Sequence, residues 1–195
     1  MKTTLLHITM FLVLATAALT ACVPNLPKKQ QATQTSNKNV QLSFQYQMYC
    51  ECEVLDYADI EVTYNDRSGK LATDTITIEQ KEEESQTMVE WHANLGIDTV
   101  PFRVYLSYRY LPKPGIDVDA DKFIAVNNTM HFSSVNSDRV GDCWRWFDNP
   151  IQNVRASKLK DYFDLINENR PTLDCTVQRN TSPTAVFEFE LVKND

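Results

Sequence analysis

Apolar and polar residues alternate along most of the chain, and the alternation begins at Val40. Val40, Leu42, Phe44, Tyr46 and Met48 fall at every second position with Gln41, Ser43, Gln45 and Gln47 between them, which is the period of a half-buried strand. Ile60, Val62 and Tyr64 repeat it beside Glu61 and Thr63. The cluster Asn65-Asp66-Arg67-Ser68-Gly69-Lys70 then reads as a turn, and residues 71–79, with Ile76 and Ile78 in phase, as the returning arm of a hairpin. The acidic run over 81–85 marks an exposed connection, and residues 88–93, with Val89, Trp91 and Ala93 on one side, predict a fourth strand. The fifth is the longest: Phe102, Val104, Leu106, Tyr108 and Tyr110 alternate with Arg103, Tyr105, Ser107 and Arg109 until Pro112, Pro114 and Gly115 stop it. Residues 123–126 and 129–135 predict a sixth strand, bulged or broken at Asn127-Asn128, and 186–192 a seventh, in which Phe187, Phe189 and Leu191 alternate with Glu188 and Glu190. One stretch departs from the period. Over 157–169, Leu159, Tyr162, Phe163 and Ile166 form a helical stripe, with Ser157 as N-cap and Arg170-Pro171 as stop. The pattern predicts a mainly β protein: an immunoglobulin-like or related β-sandwich of about seven strands with one helical insertion before the last.

The first 39 residues are patterned differently. Lys2 precedes an apolar stretch from Leu5 to Leu19, interrupted only by His7, Thr9 and Thr16, and the small residues Thr20 and Ala21 then lead into Cys22. The stretch is short for a membrane span and has the layout of a cleavable export signal. Leu19-Thr20-Ala21-Cys22 resembles the lipobox of bacterial lipoproteins. That resemblance implies cleavage between Ala21 and Cys22 and lipid attachment to the Cys22 thiol, so that the mature chain is anchored in a bilayer of the cell envelope with its globular part in an aqueous compartment. Val23 follows the cysteine in place of the Asp that disfavours outer-membrane sorting in enteric bacteria, which by the same resemblance points to the outer membrane. From 23 to 39 the chain carries Pro24, Pro27, Lys28, Lys29 and a run of Gln, Thr, Ser and Asn, with too little apolar surface to fold. Read as a random coil it spans roughly 20–25 Å. The organisation expected is therefore a signal peptide over 1–21, a tether over 22–39 and the sandwich, with its helix near 157–169, over 40–195.

Charge narrows the partners. The signal peptide holds one of the 19 basic residues and none of the 26 acidic ones, so the mature chain is more acidic than the formal −7 of the whole. This argues against a nucleic-acid partner and against adhesion to anionic lipid through basic clusters, leaving the lipid anchor as the membrane contact. Four cysteines remain after Cys22, namely Cys50, Cys52, Cys143 and Cys175, an even number that in an exported chain predicts two disulfides. Cys50 and Cys52 on one regular strand lie too far apart for a relaxed bridge, so each is expected to pair with Cys143 or Cys175, a bridge between Cys143 and Cys175 being the weaker option.

Candidate chemistry is sparse. Asp117, Asp119 and Asp121 alternate like the opening of a calcium loop, but Lys122 and Asn128 stand where an EF-hand needs Gly and Glu. Met48, Cys50 and Cys52 offer soft sulfur ligands, and the four cysteines a zinc set, that the predicted disulfides would consume. His92 and His131 read as strand side chains, and neither a metalloprotease nor a serine-hydrolase motif occurs, so no catalytic residue, metal or cofactor is assigned. A binding surface is the stronger prospect. Trp144, Arg145, Trp146 and Phe147, read as a loop before the Asn149-Pro150 turn, could stack on a sugar or anchor a protein partner, or else plug the end of the sandwich. Arg103, Tyr105, Ser107 and Arg109 make a second candidate face. The functional expectation is a membrane-tethered structural or protein-binding adaptor with an envelope protein as partner. A glycan- or small-ligand-binding lipoprotein is the alternative.

Overall fold

The computed structural model describes residues 40–115, 119–149 and 153–194. The lipobox with Cys22, the tether over 22–39 and Asp117 lie outside them. The described chain is a mainly β sandwich of two sheets. The first is antiparallel and runs, in spatial order, β4 (Met88–Ile97), β1 (Leu42–Glu51), β7 (Asn128–Ser134) and β9 (Trp144–Asn149). The second runs β3 (Leu71–Ile76), β2 (Ala58–Asn65), β5 (Phe102–Pro112), β11 (Thr172–Arg179), β12 (Phe189–Lys193) and β8 (Val140–Gly141), the last joining in parallel. A small ribbon pairs β6 (Phe123–Ala125) with β10 (Asn153–Arg155).

Alternation places the core. Leu42, Phe44, Tyr46, Met48 and Cys50 of β1 face Val104, Leu106, Tyr108 and Tyr110 of β5 across the sandwich, all of them buried. Phe44 stacks on Phe132 at 4.9 Å between ring centroids, and Phe132 tilts against Tyr46 at 5.1 Å. The Tyr46 hydroxyl reaches across to the opposite sheet and donates to the Asn65 carbonyl at 3.1 Å, so a buried polar tip is satisfied where the sheets meet.

One end is closed by helix α2 (Leu159–Asn169), reached after the short helix α1 (Cys52–Leu55) earlier in the chain. Tyr162 and Phe163 pack on Tyr110 at 5.9 and 4.5 Å. β11 pairs with β5 only as far as Ser107, which leaves Tyr110 without a strand on that side. Asn167 takes the place of one: its Oδ1 accepts from the Tyr110 amide at 2.8 Å and its Nδ2 donates to the Tyr110 carbonyl at 3.0 Å. Arg170, in the left-handed region at φ 35°, ends the helix with its amide bonded to the Ile166 carbonyl. Gly141 is needed where β8 meets Phe187, because a Cβ there would stand 2.9 Å from the ring.

Several expectations are corrected. The described residues hold twelve strands, not seven. The stretch 123–135 is two strands in different sheets. At the Asn127-Asn128 break the chain leaves β6 for β7, and the Asn128 amide donates to the Tyr110 hydroxyl at 2.5 Å. β11 was unread, and the last strand begins at Phe189, with Val186 88% exposed ahead of it. Ser157 is not the N-cap: it sits inside a 3-10 turn over Ala156–Lys158, and Lys158 takes the cap position without a side-chain bond.

The predicted disulfides are absent. Cys50, Cys52, Cys143 and Cys175 are free. Register gives the reason. Cys50 is opposite Asn128 on β7, whereas the Cys143 carbonyl accepts from the Ser134 amide, six residues further along the same strand, or about 20 Å. That span exceeds the reach of a disulfide.

Candidate functional site

The segment read as an aromatic loop is a strand. β9 follows Gly141 and Asp142, the latter at φ 48°, and pairs with β7 in the register Ser133↔Trp144, His131↔Trp146 and Met130↔Phe147. Pairing imposes alternation, so the four residues part ways. Trp144 and Trp146 turn outward, 63% and 74% exposed, which removes the plug reading. Phe147 turns inward and packs on the core. Arg145 also turns inward: its guanidinium donates to the Leu191 carbonyl of the opposite sheet, and to the Trp144 carbonyl at 2.9 Å and the Asp142 carbonyl at 3.2 Å. An inward-facing arginine bonded to three carbonyls staples β9 to β12, and leaves the tryptophans at the surface.

The outer face of the four-stranded sheet continues from these rings. Trp146 lies 5.8 Å from His131 on β7, and His131 lies 5.6 Å from Tyr49 on β1, edge to face. The Tyr49 hydroxyl and the Gln47 amide both donate to Glu90 Oε1 on β4, each at 3.3 Å. Gln45 donates to Asn94 at 3.5 Å. Registers align His92, Gln47, His131 and Trp146 in one row across four strands, and Asn94, Gln45, Ser133 and Trp144 in the next. Burial, then the Glu90 carboxylate beside it, raises the Tyr49 hydroxyl above its ordinary range, so it remains a donor at neutral pH. Aromatic plates thus occupy one edge of the face and amide, imidazole, phenol and carboxylate groups the rest. Tyr49, Gln45, Gln47, Glu90, His92, Asn94 and His131 were missed as site residues. Their signal was the polar half of the β1 and β4 alternation, which points to one face only once the pairing is known.

The remaining candidates do not assemble. Arg103 is held by Asp174 and Arg109 by Glu61, each through two nitrogens, and Ser107 is buried, so this face is a set of closed ion pairs. Asp119 accepts from the Asp121 amide and Asp121 pairs with Arg155, while Asp117 lies outside the described residues. Met48 and Cys50 are sealed in the core and Cys52 begins α1. Among the described residues no group of three or more His, Cys, Asp or Glu side chains is placed to hold a metal ion. Comparison of the chain with family models, with curated proteins and with solved structures found no match.

Proposed function

We propose that this chain is a lipid-anchored protein of the bacterial cell envelope that binds glycan on the outer face of its four-stranded sheet. The observation that carries the reading is the pair of exposed tryptophans at alternate positions of β9, continued across the sheet by His131, Tyr49 and a row of amides. Sugar rings present C–H faces that stack on aromatic plates and hydroxyls that need paired donors and acceptors, and this surface supplies both. The anchor is argued from the lipobox: no described helix is long and apolar enough to cross a membrane, and acylation of Cys22 would supply the attachment. Exposed Val186 and Phe187 favour a second reading, an adaptor that docks on an envelope protein.

The test is calorimetric titration of the full chain in detergent with soluble polysaccharides, with Trp144→Ala and Trp146→Ala as variants. Each substitution is expected to weaken binding by about 30-fold, the loss of a well-packed aromatic anchor, with the circular dichroism spectrum unchanged. Unchanged affinity in the double variant would reject the glycan reading. A cross-linked envelope protein lost on the same substitutions, with no affinity for any glycan, would establish the adaptor instead.

A further inference from the structure

Resting on that reading, we infer that the face selects uncharged glycans and holds them across the strands, from Trp146 on β9 to His92 on β4. The charge pattern carries the first half. Among the described residues of β1, β4, β7 and β9, no lysine or arginine alternates onto this face, since the one arginine, Arg145, turns inward to Leu191. Among its described side chains the face instead holds two carboxylates, Glu51 and Glu90. Glu90 stands in the middle of the hydrogen-bonding half and accepts from Gln47 and Tyr49. Burial, and then Glu53 beside it, raises Glu51 above its ordinary value. A uronate, sulfate or phosphate on a sugar would meet carboxylates and no cation, on a chain already of net charge −7. Charged groups of both signs lie past its ends: beyond the β9 edge Trp146 walls a cleft of about 140 Å³ that also holds Arg145, Asp174 and Lys193, and beyond Glu51 a second cleft holds Lys81 and Lys122.

The placement of rings and polar groups carries the second half. The aromatic groups cluster toward β9 and the hydrogen-bonding groups toward β4, about 14 Å away at the usual strand spacing. Only a ligand running perpendicular to the strands meets both. One lying along β9 would touch the tryptophans and none of Gln47, Glu90 or His92.

The experiment titrates the full chain with chitohexaose, chitobiose and an oligogalacturonate hexamer. Chitohexaose is expected to bind, with affinity little changed between about 0.02 and 0.5 M salt, and oligogalacturonate at least tenfold more weakly. Glu90→Lys, at an exposed position, should strengthen galacturonate binding several-fold. His92→Ala should weaken the hexaose several-fold and leave the biose, too short to span from Trp146, unchanged. Equal affinity for the neutral and anionic hexamers, or steep weakening of either by salt, would overturn the charge selection while leaving glycan binding in place. Equal effects of His92→Ala on hexaose and biose would overturn the crossing orientation. Failure of all three probes and of neutral polysaccharides to bind would remove the inference and the glycan reading together.

Discussion

Trp146 and Phe147 are neighbours on β9 and face opposite ways, so truncating each in turn measures the register on which the platform depends. Trp146, 74% exposed, hides about a quarter of its surface. For a side chain that size this is roughly 50–60 Å², or at most about 1.5 kcal/mol at ~25 cal/mol per Å². Trp146→Ala should therefore cost about 1 kcal/mol. Phe147 is half-buried, packs on the core and sits opposite Met130. Full truncation of a core phenylalanine costs about 3–5 kcal/mol, so Phe147→Ala at this half-closed site should cost about 2. For a domain of this size each kcal/mol moves Tm by about 2–4 °C. The smaller residue is thus expected to lower Tm by about 4–8 °C and the larger by about 2–4 °C, read by circular dichroism and by urea unfolding of the full chain. The opposite order would mean that β9 is slipped by one residue. Such a slip sends every side chain of the strand to the other face, and would take the tryptophans off the surface with it.

Three further outcomes follow from burial and charge. Burial pushes the Cys50 and Cys175 thiols up to about 12, whereas Cys143 is half-exposed; iodoacetamide at neutral pH should label Cys143 and spare those two until the protein is unfolded. An intact mass short by a pair of hydrogens would contradict the free thiols. Burial also raises the Tyr46 and Tyr110 hydroxyls above their ordinary value, so the stability they contribute is complete below about pH 10, their unfolded value, and falls as pH rises beyond it; a flat unfolding profile from pH 9 to 11 would refute this. Glu51 is raised as well, which means that its ionised form at neutral pH is disfavoured in the fold, and Glu51→Gln should raise Tm slightly at pH 7 and leave it unchanged near pH 3.

Where one face of a strand is buried and the other wet, the sequence speaks directly. β1, β2, β4 and β5 were all legible because their apolar residues point inward, and the helical stripe of α2 because its period is 3.6. β11 has the same alternation in Leu173, Cys175 and Val177, but it follows directly on the Arg170-Pro171 stop and was assigned no element. The change of sheet at Asn127-Asn128 registered only as a break, since the buried Asn128–Tyr110 bond that anchors it joins residues eighteen apart. Disulfides were inferred from the parity of the cysteines, which carries no distances, and the register then set Cys50 about 20 Å from Cys143.

β9 failed for a different reason, and the failure bears on function. The rule that apolar side chains turn inward would bury Trp144 and Trp146 and expose Arg145. In the fold the tryptophans are outside and the arginine is inside, donating to carbonyls. An inverted strand leaves two large aromatic surfaces in water and turns a guanidinium inward, arrangements that folding alone does not favour. Local rules are broken at functional sites when something beyond stability maintains the exception. Here Arg145 keeps β9 seated without the tryptophans, which frees both rings to face outward beside His131, Tyr49 and Glu90. The same inversion explains why the candidate site was half visible: the sequence displayed the aromatic residues, and only the strand pairing could say which of them face outward.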